Sequence, residues 1–337
     1  MGSSKSSASS GATGEFERLE RAAALSRPAS PKRMLVIVNP YATTVSDRLG
    51  QLVLYALQGR YDVTIAETER SGHATELGRD AAAEGYDVVV AFGGDGTVNE
   101  AANGIAGTPT PFTCLPGGAT NVYCRMLGIP NDVVDATEHL LLLADEWRPR
   151  PVDLGDVNGR LFTFSAGAGL DASVVERVDS HPKLKARYGP LFYAQSGVSV
   201  FLRRYVIKPL RLDVEVDGAE PLTGVSCFVQ NATPYTFFKT RPVDLVDEVD
   251  LDSGDLGGAV LRRASPVDVP TIAWRALSKT AQIERHRQVS AFRHAQRVVV
   301  RSTDGDRPVP VQVDGDFVGL HEEAVFTVRP GALQVVA

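Results

Sequence analysis

Short apolar runs alternate with longer segments of helical period through the first half of the chain. Met34-Leu35-Val36-Ile37-Val38, the run at 61–66, Val88-Val89-Val90-Ala91-Phe92 and the run at 112–115 contain few polar residues. Runs of this length and character are expected of strands buried on both faces of a parallel sheet. Between them, 46–58, 72–84 and 97–105 read as helices, which predicts successive βαβ units. Each strand leads into a polar loop: Asn39-Pro40-Tyr41-Ala42-Thr43, Glu67-Thr68-Glu69, Gly93 to Thr97, and Pro116-Gly117-Gly118-Ala119-Thr120-Asn121. Ligands of such sheets bind beyond the carboxyl ends of the strands. The pattern therefore gathers all four loops along one rim. A further helix is expected from a cap at Asn131-Asp132 to about residue 146.

After Pro149 and Pro151 the pattern changes. Short runs at 160–165, 210–216, 225–230, 256–261, 297–301, 310–313 and 324–328 are punctuated by turn dipeptides, Asp217-Gly218 and Asp314-Gly315. This predicts an antiparallel β-sandwich with helices inserted at 184–204 and 267–288. The fold class expected is thus α/β plus β: a Rossmann-like parallel-sheet domain at 34–151, then a β-sandwich domain at 152–337 whose last strand is free to return to the first domain. Residues 1–33 read as a disordered tail, within which 15–25 would suit a short charged helix.

Composition narrows the function classes. The chain has 337 residues, 43% of them apolar and 23% charged, which suits a globular protein with a large core. A net charge of −6 argues against bulk nucleic-acid binding. Cys114, Cys124 and Cys227 form no C-x-x-C pair and read as small buried hydrophobes of a reducing compartment. The six histidines lack metal-ligand spacing. No apolar run approaches the ~18–20 residues of a membrane span, and no secretory signal is visible. A cytoplasmic protein is expected. Met1-Gly2-Ser3-Ser4-Lys5-Ser6 formally fits a myristoylation pattern, but a flexible tail is the better reading.

The loop Gly93-Gly94-Asp95-Gly96-Thr97 carries the most chemistry. Its glycines let a strand curl into a helix and let backbone N–H groups approach an anion, where the helix N-terminus adds partial positive charge. Asp95 would repel phosphates unless a divalent cation lay between them, so the loop suggests a nucleotide–metal site. It is neither a Walker loop, since no Gly-Lys-Ser/Thr follows, nor the dinucleotide fingerprint, since Asn99 stands where the third glycine belongs. Asn39-Pro40 and Gly117-Gly118 are, taken alone, ordinary turn chemistry.

Together these residues resemble a family. Val38-Asn39-Pro40, Gly93 to Glu100 and Pro116 to Asn121 are similar to the diacylglycerol kinase catalytic-domain family, the soluble bacterial lipid kinases related to sphingosine and ceramide kinases and distantly to NAD kinases. The similarity continues through Val152-Asp153-Leu154-Gly155, Phe164 to Asp171, Asp252-Ser253-Gly254-Asp255 and Val313-Asp314-Gly315-Asp316. It implies phosphorylation of a lipid hydroxyl by ATP with Mg²⁺, in a cleft between the domains. By position it implies that Asn39, Pro40 and the loop to Thr43 border the nucleotide, with Thr68 nearby. Gly93, Gly94, Asp95, Gly96, Thr97, Asn99 and Glu100 would wrap the phosphates. Gly117, Gly118, Thr120 and Asn121 would close the site. Asp314 matches the proton acceptor, and Asp95 and Asp153 match members of a carboxylate–water–Mg²⁺ network. The lipid would be met at the inner membrane face, with no transmembrane segment, and a homodimer is admitted.

Two positions depart from the family. Its third network carboxylate falls at Val122, for which Asp171 or Asp156 could substitute, and an acid of its accessory metal site falls at Ser253. These departures motivate an alternative, a nucleotide-gated lipid-binding protein without catalysis. An NAD kinase-like enzyme is a second alternative, against which Asn39-Pro40 and Asn99-Glu100 lean. Finally, the segment 184–205 has an apolar stripe through Leu191, Val198 and Phe201 with basic ends, and 267–288 carries Trp274, Arg275 and Lys279. Both read as helices packed on the sheets, the alternative being a membrane surface.

Overall fold

The computed structural model describes residues 14, 17–19, 21, 30–41, 45–143, 147–181, 209–238, 241–263, 265–278, 281–305 and 307–337. The helix expected at 184–204 lies outside the described residues, as does Thr43. The chain divides into two compact units, Met1–Pro151 with Leu333–Ala337, and Val152–Ala332.

In the first unit, β1 (Arg33–Val38), β2 (Asp62–Glu67), β3 (Val88–Gly93) and β4 (Phe112–Pro116) pair in parallel in the order β2-β1-β3-β4. β3 and β4 are buried at every position, whereas edge strand β2 is exposed or half-buried throughout. Helix α1 (Asp47–Gln58) starts where the Ser46 hydroxyl accepts the Leu49 N–H, and it buries Val53, Leu54, Ala56 and Leu57. α2 (His73–Ala83) and α3 (Asp95–Ile105) cross closely over glycines. A Cβ on Gly104 would stand 2.3 Å from the Thr75 carbonyl oxygen. A short helix that periodicity did not show, α4 (Val122–Met126), follows β4. α5 (Val133–Leu142) is capped by Asp132, whose carboxylate accepts the amides of Val134 and Asp135. The chain's end completes this sheet: Val335 pairs in parallel with Phe112.

Part of the 15–25 segment, read above as suited to a short charged helix, is described. Residues 17–19 are helical, Leu19 is 1% exposed, and Arg18 pairs with Asp135 and Glu138 of α5. Helix formers around a leucine give this segment one apolar contact to bury and two acids to meet.

The second unit holds β5 (Arg150–Val157), β6 (Arg160–Phe162), β7 (Ser165–Gly169), α6 (Leu170–Asp179), β8 (Leu212–Val216), β9 (Leu222–Gly224) and β10 (Ser226–Gln230). After the small ribbon β11 (Thr236–Phe238) and β12 (Arg241–Val243) come β13 (Leu256–Leu261), α7 (Val269–Leu277), β14 (Val289–Ala295) and β15 (Arg297–Ser302). β16 (Val309–Val313), β17 (Asp316–His321) and β18 (Glu323–Val335) end the chain. One antiparallel sheet runs β14-β13-β10-β7-β16-β17; a second runs β18-β15-β8-β9, with β5 on β18 and β6 on β5. Alternate residues of both, such as Val214, Val298 and Phe326 on one side and Ala168, Val229 and Val311 on the other, share one core.

Two expectations here are corrected. The strand at 160–165 stops at Phe162, and the glycine- and alanine-rich β7 pairs in the middle of its sheet, where Gly169 takes φ +88° beneath the Val225 carbonyl. The helix at 267–288 ends at Leu277, because Ser278 is already extended; 283–285 is a single tight turn and β14 begins at Val289.

Candidate functional site

The order of the parallel strands decides where a ligand can sit. From β1 the chain moves to one side for β2 and to the other for β3, so the crevice opens at the carboxyl ends of these three strands. A cleft of about 310 Å³ occupies that position. Asn39 and Tyr41 enter from the loop after β1, Thr68, Glu69, Arg70 and Ser71 from the loop after β2, and Gly96, Thr97 and Glu100 from the start of α3. Asn39 ties the loops together. Its Oδ1 accepts the Tyr41 N–H at 2.9 Å, its Nδ2 donates to Thr97 Oγ1 at 3.0 Å, and its own N–H donates to the Phe92 carbonyl at 3.1 Å. Thr68 is fixed by its N–H on the Val38 carbonyl at 2.9 Å. The N-cap of α3 is Gly94, which has no side chain to cap the helix.

Glu100 lines the cleft and also holds the neighbouring loop. Its carboxylate accepts the Gly72 N–H at 2.8 Å, the Ala74 N–H at 3.3 Å and the Ser71 hydroxyl at 3.3 Å. It therefore caps α2, whose N-cap is a glycine in the left-handed region. Arg70 adds a cation to the cleft wall. Its hydrogen bond and charge pairing with Glu76 hold its pKa above the ordinary arginine value.

The second glycine loop does not line this cleft; it buttresses the first. The Gly117 N–H donates to the Gly93 carbonyl at 2.8 Å. A Cβ on Gly118 would lie 2.7 Å from Gly94 Cα, and one on Gly117 would lie 3.0 Å from Gly93 Cα. These glycines exist because two backbone turns touch. Asn121 closes its own loop, with Oδ1 on the Gly118 N–H and Nδ2 on the Gly118 carbonyl, both at 2.8 Å. Thr120 is half-buried beside it, and Asn99 is buried in α3, where its oxygens accept from Asn103.

In the second unit Asp314 occupies a turn with φ of 47°, followed by Gly315 at 85°, and it is buried. Its Oδ2 accepts the N–H and hydroxyl of Thr163 at 2.7 and 2.8 Å, and its Oδ1 accepts the amides of Phe164 and Ser165 at 3.0 Å each. Burial pushes this carboxyl above its ordinary pKa, against the downward pull of those donors. A second polar group lies in the same unit. Asp171 Oδ2 accepts the Tyr235 hydroxyl at 2.8 Å and Gln312 Nε2 at 2.7 Å, and Gln312 Oε1 accepts the Gly315 N–H at 2.9 Å. Burial raises Asp171 too, and it raises Tyr235 strongly, with the Asp171 charge adding to the effect.

Among the described residues no three His, Cys, Asp or Glu side chains are grouped to hold a metal ion. Magnesium asks for less than that: one or two carboxylates, with phosphate oxygens and water completing the shell. Asp95 fits such a role as a half-buried acid on the first residue of α3, although its Oδ1 already accepts the Tyr123 N–H at 3.2 Å. Asp153 is already engaged on both oxygens. It is buried in the second unit, with Oδ1 on the Gly331 N–H at 2.8 Å and Oδ2 on the Gly254 N–H at 2.6 Å. The substitutes considered for Val122 are also engaged. Asp156 is held by the Gly159 N–H and by Arg329, and Asp171 by the pair above. Val122 itself is buried in α4, and the Ser253 hydroxyl donates to Asp255.

The first unit therefore brings Asn39, Thr68, Gly96, Thr97 and Glu100 to one cleft, with Gly93, Gly94, Gly117, Gly118 and Asn121 forming the scaffold behind it. Sequence reasoning missed Arg70, Ser71, Tyr235 and Gln312. The first two follow Glu69, just beyond the loop marked at Glu67-Thr68-Glu69; the others carry no local signal.

The family model described as diacylglycerol kinase catalytic domain matches residues 33–157. A protein named diacylglycerol kinase from Bacillus subtilis (strain 168) is 28% identical over 297 residues, covering 86% of this chain and 91% of that one. One of the same name from Staphylococcus aureus (strain Newman) is 32% identical over 297 residues, covering 86% of this chain and 87% of that one. The crystal structure of a diacylglycerol kinase from Bacillus anthracis str. Sterne shares the fold, with a TM-score of 0.69 at 21% identity over 90% of this chain and 96% of that one.

Proposed function

The chain belongs to the diacylglycerol kinase catalytic-domain family, and we propose that it transfers the γ-phosphoryl group of ATP to the hydroxyl of diacylglycerol or a related lipid alcohol. The observation that carries this reading is the cleft at the carboxyl ends of β1, β2 and β3, which the first turn of α3 lines behind a glycine N-cap. Phosphoryl transfer depends on positioning and charge neutralisation more than on covalent chemistry. In this reading Asn39, Pro40, Thr43 and Thr68 border the nucleotide. The amides of Gly96 and Thr97 face its phosphates, and Arg70 adds positive charge. Thr120 closes the site. A magnesium ion, when bound, would neutralise phosphate charge with Asp95 as its protein carboxylate.

Asp314 is assigned the proton of the acceptor alcohol, which it takes as the oxygen–phosphorus bond forms and ADP leaves. Of the four donors described above, three are backbone amides fixed by the chain. The Thr163 hydroxyl is the fourth, and it alone of the four can rotate away. The alcohol therefore takes the place of that hydroxyl on Oδ2.

The test is transfer of labelled phosphate from ATP to a panel of lipids in mixed micelles at several Mg²⁺ concentrations. Transfer to diacylglycerol or a related alcohol is expected. Asp314→Asn should lose about 100-fold or more in turnover while still binding ATP, and Thr163→Val should keep activity. No transfer to any lipid, or wild-type turnover by a folded Asp314→Asn variant, would sink the reading.

A further inference from the structure

Helix α7 leaves apolar side chains in water. Val267, in the turn before it, is 77% exposed, and Trp274 is 61% exposed. Pro270 is exposed too, four residues from Trp274 and so on the same side of the helix. The segment is not loosely held. Buried Asp268 accepts two hydrogen bonds from Arg287, the Thr271 hydroxyl meets His286 Nε2 at 3.0 Å, and Arg275 donates to the Gln282 carbonyl at 3.0 Å. A well-anchored helix that still presents a tryptophan and a valine to solvent has an interaction surface of its own.

The segment that carries this surface is itself positive. Between positions 262 and 287 the sequence carries five arginines and Lys279 against two acids, Asp268 and Glu284. Both acids are already paired, Asp268 with Arg287 and Glu284 with Arg293. Arg262, Arg263 and Arg285 are exposed. The whole chain has a net charge of −6, so its average field repels an anionic surface. The arginines of 262–287 oppose that field along this segment, where Asp247, which accepts from Gln282 Nε2, is a neighbouring acid.

We propose that α7 and its flanking arginines dock this protein on an anionic lipid bilayer, with Val267 and Trp274 entering the interface and the arginines meeting lipid phosphates. Tryptophan is favoured at headgroup depth, and arginines near anionic lipid each contribute attraction. A second copy of the chain is the poorer occupant. A two-fold contact centred on α7 would set arginine against arginine. The inference deepens the lipid-kinase reading, since a bilayer holds the acceptor, but its test measures binding and not turnover.

The chain has two tryptophans, Trp147 and Trp274, so a Trp147→Phe variant reports on Trp274 alone. Phosphatidylcholine vesicles containing phosphatidylglycerol should shift its emission to the blue and shield it from acrylamide. Pure phosphatidylcholine vesicles should do neither. In vesicle sedimentation with otherwise native protein, Val267→Ser/Trp274→Ser and Arg262→Glu/Arg263→Glu should each lower partitioning by about tenfold or more, and added salt should weaken the native protein's binding. Equal sedimentation of native and substituted proteins would overturn the proposal. So would a shift with neutral vesicles alone, or a shift that follows protein concentration without vesicles, which would mark a second copy. Vesicle binding without phosphorylation of any lipid would leave the surface standing and remove the kinase reading instead.

Discussion

Asp171 is a single residue whose environment sets a testable pH dependence. Its two side-chain donors, Tyr235 and Gln312, converge on one oxygen, Oδ2. Burial raises its pKa in the folded protein. The folded state therefore holds this proton at pH values where the unfolded chain has released it. The associated stability is fully present below the ordinary carboxyl value of about 4 and is lost as pH rises through the folded value. Asp171→Asn keeps an acceptor for both donors and removes the titration. The variant should gain stability relative to the native protein between about pH 4 and neutrality, read as denaturation midpoints across that range. Parallel midpoint curves would refute the assignment. The sequence marked Asp171 through its glycine-rich motif but could not mark its partners. Gln312 lies 141 residues away and Tyr235 lies 64 away, and no local pattern links them. Asp314 is similar. The Asp-Gly turn was legible, and its positive φ values agree with such a turn, but its donors come from 149 to 151 residues upstream.

At the scale of elements, the parallel strands were legible because double burial removes polar alternation, as in β3 and β4. Helix α7 was overextended because an apolar period does not register where Ser278 turns the backbone extended. The glycine loops were legible as loops, but the reason for their glycines was not. Gly117 and Gly118 are required by contact between two turns, and the cleft lies on the far side of the first. Gly118→Ala should therefore push the second loop off the first, costing roughly 1–3 kcal/mol and weakening ATP binding although Gly118 lines no part of the cleft. Gly50→Ala is the control. Its Cβ would meet nothing within 4 Å on helix α1, and it should stabilise by about 0.5–1 kcal/mol. Urea unfolding and calorimetric titration with ATP would read both. A Gly118→Ala protein as stable and as tight-binding as the native one would show that the loops do not bear on each other.

For the molecule as a whole, the last strand serves both units. β18 pairs with β15 along Glu323 to Thr327 in the second unit, and Val335 then lies against Phe112 in the first, where the Val336 N–H donates to the Phe112 carbonyl at 2.8 Å. Leu333, Val335 and Val336 are all buried, at 1%, 0% and 2% exposure. At roughly 1.5–3 kcal/mol for each buried aliphatic side chain, their removal should cost the α/β unit on the order of 5 kcal/mol. The β-sandwich keeps its own core, since β18 is already paired with β15 before Leu333 is reached. Deleting 333–337 should therefore speed hydrogen exchange in β3 and β4 while leaving β10 and β13 protected, a difference readable by mass spectrometry. ATP binding should weaken in parallel, because the loops after β3 and β4 depend on those strands for their position. Unchanged exchange in β4 would mean that the returning segment contributes nothing to the unit that contacts it.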